Sequence, residues 1–133
     1  MILDDIATHL AANSTRLTVG TNLTKGYMPA SPATCTTIFE TGGLAPIKAF
    51  STGTVDRVWE QPSIMVHSRS TDYQTARNTI EDVFTILDGI GNTTLSGTRY
   101  GRIDAIQSPI DIGQDSNDRH MLSVNFNVMK STG

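Results

Sequence analysis

The sequence predicts an α+β fold in which a single mixed or antiparallel β-sheet is packed by two main helices. Three patterns lead to this prediction: an amphipathic stretch between Asp72 and Gly89, an alternating strand at Arg119–Lys130, and a β-branched, aromatic run at Thr34–Glu40. With 133 residues the chain is long enough to bury one hydrophobic core. We therefore expect a single domain that spans residues 1–133.

The central helix follows a short apolar run, Ile64–Val66, which Pro62 precedes and which fits a strand. Asp72 stands where a helix N-cap is expected, and Gly89 is the stop signal. Between them the large apolar residues recur every three or four positions and share one face: Tyr73, Ala76, Ile80, Val83, Phe84 and Leu87. We therefore expect Phe84→Ala to damage folding.

The N-terminal third predicts one more helix and two strands. Ile2–Ala12 places its apolar residues on one face and has acidic residues at its start, as a helix does. Leu17–Val19 suits a short strand, whereas Gly20–Pro32 is rich in Gly, Pro and Thr and predicts a loop. Thr34–Glu40 predicts the second strand, and Gly42-Gly43 is expected to break it.

After the central helix the pattern predicts a loop at Ile90–Gly97, a strand at Thr98–Gln107, a polar loop at Ser108–Asp118 and a final strand at Arg119–Lys130. On the first of these strands, alternation places Ile103 and Ala105 on one face and Tyr100 and Ile106 on the other. On the final strand it predicts a buried row that consists of Leu122, Val124, Phe126 and Val128.

The segment Leu44–Glu60 allows two interpretations. It is either a hairpin with its tip at Ser51–Thr54 or an irregular excursion. Its Trp59 either packs over the edge of the core or, together with Phe50, helps a neighbouring subunit to dock, because large aromatic residues are favoured interface anchors.

Composition argues against several function classes. The net charge is −3 and the ten Lys and Arg residues are scattered, so no basic stripe predicts nucleic-acid binding. One cysteine, Cys35, rules out an internal disulfide framework and fits a reducing compartment. The sequence has no apolar run long enough to span a membrane, and its N-terminus lacks the basic start of a secretory signal.

Residues that carry chemistry do not form a recognised motif. The loop at Asp111–Asp118 lacks the Gly and Glu positions of a calcium loop, and the histidines lack ligand spacing. His67 and His120 lie on candidate strands and could meet across the sheet; a pocket where they converge with Asp115 would favour a ligand-binding or hydrolytic domain. We predict no catalytic, cofactor or metal site, and no enzyme.

A set of short motifs occurs in a familiar order along the chain. It comprises Leu3–Ile6, Tyr27–Pro29, Glu40–Gly43, Arg69–Tyr73, Pro109, Asp115, Arg119 and Ser123–Phe126. Together these motifs resemble the minor capsid or tail terminator proteins of long-tailed bacteriophages and related phage-like particles. The match covers most of the chain and is poorest at residues 45–58.

The resemblance implies a tail-terminator-like α+β subunit that forms a hexameric ring, caps the tail tube, stops its polymerisation and joins it to the head or neck. Its expected partners are further copies of itself, the tail tube protein and a neck, connector or stopper protein. DNA would pass through the lumen without specific binding, and neither a membrane nor a cofactor is involved. The protein would act in the virion after assembly in the host cytoplasm.

Two alternatives stay open at this point. A head-completion or stopper protein of the same particle would share the size and symmetry of the ring, and a small ligand-binding or hydrolytic domain would share the fold class. For ring contacts, the sequence offers residues of the excursion and of the strand after the central helix: Lys48, Phe50, Arg57, Trp59, Arg99 and Arg102.

Overall fold

A computed structural model describes residues 2–30, 32–51, 54–115 and 117–131, and within 45–58 it describes the backbone alone. The elements follow in the order α1 (Ile2–Asn13), β1 (Leu23–Lys25), β2 (Cys35–Ser51), β3 (Thr54–Ser70), α2 (Tyr73–Leu87), β4 (Ile90–Leu95), β5 (Thr98–Ala105), β6 (Ile110–Gln114) and β7 (His120–Ser131).

The seven strands form a mixed sheet with the order β1-β2-β3-β7-β5-β4. The short β1 runs parallel to β2, and every other pair is antiparallel. The strand β6 lies outside this path and pairs with the first part of β7, while β5 pairs with its later part. This arrangement confirms the predicted α+β class with a mixed sheet.

Both helices pack on one face of the sheet and close the core with it. The buried face of α1 is the predicted one, and the predicted inward row of β7 is buried as well. The largest fully buried side chains are Tyr100, Phe126, Ile6, Leu10, Leu23, Ile38, Ile64, Ile80, Leu87, Ile103, Leu122 and Val66. The opposite face of the sheet has no helix over it in the described part of the chain.

The ends of α2 are those that the sequence predicted. Asp72 caps the start, since its Oδ2 accepts hydrogen bonds from the Thr75 N–H (3.2 Å) and hydroxyl (2.7 Å). Gly89 follows the last turn with φ 86°, and its N–H donates to the Ile103 carbonyl (2.9 Å). Tyr73, which was expected on the buried face, is 39% exposed at the first turn of α2, where its ring makes an edge contact with His120 of β7 (centroids 5.5 Å apart).

The first predicted strand is wrong in its position. Leu17–Val19 forms no strand, because the Thr18 carbonyl accepts the N–H groups of residues 21, 22 and 23 and closes a turn. The Asn22 side chain holds this turn by accepting from the Thr18 N–H (2.7 Å). The strand β1 begins after the turn, at Leu23, inside the stretch that was expected to be loop.

The prediction that Gly42-Gly43 breaks the second strand is also wrong. A register shift between Glu40 and Gly42 absorbs the glycines as a bulge, and β2 continues to Ser51. Gly43 has φ 135°, and a Cβ there would lie 2.2 Å from the Gln61 carbonyl oxygen. The position therefore requires glycine, for a bend within the strand rather than for its end.

The predicted loop Ile90–Gly97 is instead the strand β4 and a tight turn. Ser96 (φ 50°) and Gly97 (φ 83°) join the paired residues Leu95 and Thr98, as in a two-residue hairpin of the I′ kind. The strand was missed because it is polar and largely exposed, so it has no apolar alternation. The strand β6 likewise lies within the stretch that was expected to be a polar loop.

The predicted faces of β5 are partly wrong. Tyr100 and Ile103 are both fully buried, although simple alternation would separate them. A register shift between Tyr100 and Arg102 adds Gly101 as an extra residue, which turns Ile103 back to the core. The buried Tyr100 hydroxyl donates a 2.7 Å hydrogen bond to the carboxylate of Asp5, so the bulge also connects β5 to α1.

Candidate assembly surfaces

The outer part of the β2–β3 hairpin, residues 44–59, extends past the end of β7; we call it the ribbon. The last β3–β7 pair is Trp59 with Ser131, and beyond it the ribbon consists of two strands up to the pair Ser51–Thr54. The hairpin interpretation of this segment is therefore confirmed for its backbone. Register shifts near Leu44 and Ile47 bend the ribbon close to its base.

Three of the proposed contact residues, Lys48, Phe50 and Arg57, lie within residues 45–58 of the ribbon, where the side chains fall outside the described part of the structure. Lys48 is the backbone partner of Arg57, and Phe50 is the partner of Val55. The register therefore brings two residues of like charge to directly opposed positions, an arrangement that usually destabilises a pair of strands.

Trp59 lies at the base of the ribbon and packs on its own chain. A Cβ built on Gly101 would be 3.1 and 3.2 Å from two atoms of the indole ring, so the bulge glycine leaves room for Trp59 to lie across β5. The Arg99 guanidinium carbon stands 5.7 Å from the ring centroid, within reach of a cation–π interaction. Trp59 is only half-buried, so part of this arrangement faces outwards.

The two arginines on β5 have partners on their own sheet. Arg99 donates from Nε to the Asn92 Oδ1 at 2.8 Å, which holds the guanidinium beside Trp59. Arg102 is 67% exposed in its side chain and pairs with Asp104 on the same strand. Since exposed ion pairs contribute little to stability, Arg102 can exchange Asp104 for another acid at low cost.

A shallow depression of about 300 Å³ lies beside the base of the ribbon on the face without helices. Arg102 and Asp104 line one side of it, and Leu44, Gln61 and Met129 contribute to the rest. Leu44 is 70% exposed, an unusual position for a leucine. The depression is open and of mixed polarity, which suits a contact with a protein surface better than an enclosed small-molecule site.

At the opposite end of β3 two buried arginines hold a loop. The Arg69 side chain donates to the carbonyls of Pro29 and Pro32 (both 2.7 Å) and of Ala33 (3.1 Å). Arg119 donates to the Ala30 carbonyl (2.6 Å) and to the Asp115 carboxylate (2.8 Å). Charge-assisted bonds to this many carbonyls fix the loop, which leaves the neighbouring Tyr27 70% exposed.

The carboxylate of Asp115 partly balances the positive charges of Arg69 and Arg119. Burial, and then the positive charge of Arg119, lower the pKa of Arg69. Burial tends to raise the pKa of Asp115, but hydrogen bonds from the N–H groups of Arg119 and Asn117 and the Arg119 guanidinium outweigh it and leave that pKa lowered. Arg69, Asp115 and Arg119 were named as motif residues, but their meeting in one cluster was not foreseen; the spacing of Asp115 and Arg119 was the available signal.

The histidines do not converge on a pocket. His67 is opposite Ser123 and makes an edge contact with Phe39 (centroids 5.5 Å apart), whereas His120 is opposite Ser70, three register positions away and on the other face. Burial lowers the pKa of His67. Among the described residues, no cluster of His, Cys, Asp and Glu has an arrangement that could bind a metal, and no helix there is long and apolar enough to cross a membrane.

The family model for bacteriophage tail terminator proteins matches residues 10–132. The chain belongs to this family. The resemblance seen in the sequence is thereby confirmed, and the protein is a structural component of a phage-type tail and virion. The family is one of structural proteins rather than of enzymes.

Solved structures share the fold of this tail terminator family member. A protein in the virion of a native gene transfer agent particle superposes with a TM-score of 0.63 and 14% identity, over 95% of this chain and 91% of its own. A second solved protein has a TM-score of 0.57 and 10% identity, over 98% and 96% of the two chains. No curated protein sequence matches significantly.

Proposed function

We propose that copies of this chain form a closed ring, of six subunits, that caps the finished tail tube and joins it to the head or neck. The observation that carries the proposal is the match to tail terminators over residues 10–132. Because that match is to terminators, it favours a position at the tail tube over the head-completion or stopper position. The work of such a ring is mechanical: it ends polymerisation and presents a new surface.

A ring requires a head-to-tail interface, in which one surface of a subunit meets a different surface of the next. The fold offers two separate kinds of surface for this purpose. The ribbon extends from one end of β3, and the strands β4 and β6 each have an edge without a strand partner in the described part of the chain. Exposed edges of this kind are templates for pairing with another chain.

For the ring contacts we propose the ribbon and its base. Lys48, Phe50 and Arg57 lie on the ribbon, and the half-buried Trp59 stands at its base under Arg99. Arg102 lines the neighbouring depression, and its ion pair with Asp104 is exposed, so an acid of a neighbouring subunit can replace Asp104 at low cost. Packing within the subunit orients Trp59 and Arg99 before any neighbour arrives, which lowers the entropy cost of binding.

We further propose that the ring meets the tail tube protein on one face and a neck, connector or stopper protein on the other, after assembly in the host cytoplasm. DNA passes through its lumen. The net charge of −3 per chain supports this role, since a weakly acidic subunit lets DNA slide rather than adhere. Tight binding of DNA by the purified ring at physiological salt would contradict this part.

The direct test is the particle mass in solution. Six copies of a 14.4 kDa chain give about 86 kDa, which light scattering and native mass spectrometry separate from one or two copies. Negative-stain images with tail tubes then show whether the particle sits on tube ends. A chain that stays single with and without tubes would contradict the proposal.

Trp59→Ala tests the contact set. We expect it to shift the particle towards single subunits, because it removes a large oriented aromatic. Val19→Ala is the control, since Val19 is an exposed apolar residue (42%) beside β1, away from the ribbon base. Unchanged assembly of Trp59→Ala, with an unchanged melting temperature, removes Trp59 from the contact set.

A further inference from the structure

The β-sheet has an open edge at each end of its strand order. At one end, β4 pairs with β5 along one side, and residues 91–94 are exposed. At the other end, β1 covers β2 only as far as Ile38, so β2 has no strand partner on its outer side from Phe39 onwards in the described part of the chain. We call residues 39–44 the β2 edge. Open edges present N–H and C=O groups that a strand of another chain can bond.

One row of residues crosses the sheet between these two edges. Leu44 pairs with Gln61, Arg102 pairs with both Met129 and Gly91, and the β3–β7 register places Gln61 level with Met129. The row lies on the face without helices, where its first four members line the depression described above. Leu44 and Gly91, at the two ends of the row, are therefore at the same level along the strands.

The two ends of the row have complementary shapes. Leu44 is 70% exposed and projects from one edge, whereas Gly91 leaves a gap at the other edge because it has no side chain. A leucine this exposed still has most of its apolar area to bury. Next to Gly91, the side chain of Arg102 is 67% exposed and offers its methylene stem as a contact.

Charge does not oppose a meeting of these edges. The six residues of β4 include no Asp, Glu, Lys, Arg or Pro, so β4 lacks the usual guards of an open edge. The charged residue of the β2 edge is Glu40, which is opposite the buried Ile64 and so points to the face of the helices. Arg99 and Arg102, beside β4, lie on the other face, where Arg102 already pairs with Asp104. Among the described residues, the meeting brings no like charges together.

The two edges cannot meet within one subunit. Four strand spacings separate β2 from β4 in the order β2-β3-β7-β5-β4, which amounts to about 19 Å. A contact between them joins different copies and is of the head-to-tail kind. Because Leu44 and Gly91 are level, each neighbour is added without a shift along the strands, which permits a closed ring instead of a rising helix.

We propose that the β2 edge of one subunit pairs with β4 of the next, so that one sheet continues from subunit to subunit. This inference rests on the proposed ring and names the contact that closes it. The bulge at Gly42-Gly43 keeps the backbone pairing short. The specificity of the contact therefore comes from Leu44, which lies over Gly91 of the neighbour and against the stem of its Arg102.

A steric block with rescue tests the contact. A Cβ at Gly91 would meet the Gly101 carbonyl oxygen at an ordinary 4.0 Å, and the φ of Gly91 is not positive, so Gly91→Leu is compatible with the fold. Because the new side chain fills the gap, we expect the subunit concentration at half assembly to rise by at least about tenfold. Leu44→Ala should raise it by about tenfold, since it removes the apolar group that is buried. The double variant should return to within about threefold of the wild type, because one leucine again fills the space.

Two controls show whether the position of the change matters. Gln74→Leu adds a leucine at an exposed position in the first turn of α2, away from both edges, and should leave assembly unchanged. Val19→Ala removes apolar area outside the β2 edge and is the control for Leu44→Ala. Assembly is measured by light scattering over a dilution series. Melting temperatures below the assembly concentration show whether each subunit still folds.

The outcomes separate this contact from the ring as a whole. Normal assembly of Gly91→Leu and Leu44→Ala, or a double variant without rescue, overturns the contact and leaves the ring proposal intact. If Gly91→Leu fails to fold, Leu44→Ala decides, because its exposed side chain is not needed for folding. A wild type that stays single with and without tail tubes overturns the ring, and the contact with it. Weakened single variants and a restored double variant support both.

Discussion

The part of β3 that α2 covers and the part that enters the ribbon belong to one strand but have different sequence patterns. In the covered part Ile64 and Val66 are fully buried and alternate with half-buried neighbours. In the ribbon, Val55 and Val58 stand among charged and small residues without a single apolar row. Alternation of apolar and polar residues therefore indicates the part of a strand that packs on the core of its own subunit.

The β2–β3 pair also differs in register between the part that the helices cover and the base of the ribbon. The covered part of the sheet has regular register from Cys35 to Glu40, whereas the ribbon base needs a bulge at Gly42-Gly43 and further shifts near Leu44 and Ile47. Bulges bend a strand and increase its twist, so they direct the ribbon away from the sheet. The direction of the ribbon is thus set by backbone geometry at its base.

The largest expected effect tests the covered part. Ile80→Ala should lower the free energy of unfolding by about 3 kcal/mol, since Ile80 is fully buried between α2 and the sheet. Phe84→Ala should cost less, about 2 kcal/mol, because Phe84 is only partly buried at the rim of the core. Urea unfolding gives both values; an unchanged midpoint for Ile80→Ala would contradict the position of α2.

A second prediction concerns the ribbon base. Gly43→Ala should destabilise the protein by about 2 kcal/mol, because its φ of 135° is strained for alanine and its Cβ would meet the Gln61 carbonyl at 2.2 Å. Gly42→Ala, with φ 104° and open space around it, is the control and should cost about half as much.

Hydrogen exchange shows where the Gly43 effect acts. We expect faster exchange of ribbon amides in Gly43→Ala, with little change for amides of α2. Equal losses in both regions would mean that the ribbon and the core unfold as one unit, and the contrast between them would then not hold.

A third prediction breaks a bond between α1 and β5. Tyr100→Phe removes the hydroxyl that donates to the buried Asp5 carboxylate and should cost about 1 to 2 kcal/mol. Burial, and then the bond to Asp5, raise the pKa of Tyr100, so the hydroxyl stays a donor at ordinary pH. Tyr73→Phe, at a 39% exposed position, is the control and should melt like the wild type.

Sequence pattern predicted those elements that face the core. The cap at Asp72, the stop at Gly89 and the buried row of β7 were all foreseen, because burial imposes a period of 3.6 or 2 on the chain. The family was foreseen for a different reason, since an ordered set of short motifs does not depend on periodicity.

The errors concern exposed strands and bulges. The strands β4 and β6 are exposed, so their sequences resemble loops, and the bulges at Gly42 and Gly101 shift the alternation that simple counting relies on. Arg69 and Arg119 were named as motif residues, but their role in holding the Pro29–Ala33 loop was not foreseen, because they bond to backbone carbonyls, which leave no mark in the sequence of the loop.

The smallest predicted effect is a pH dependence at the arginine pair. The pKa of Asp115 is lowered in the folded state, so the contribution of its carboxylate is present above the ordinary pKa of 3.8 and is lost as the pH falls through the folded value. Asp115→Asn should therefore melt below the wild type at pH 7, and the gap should close below about pH 3.8. Asn117→Ala, a neutral change in the same turn, should give a difference that does not vary with pH. A constant gap for Asp115→Asn would mean that the shape of the turn, rather than the charge of Asp115, holds Arg119 in place.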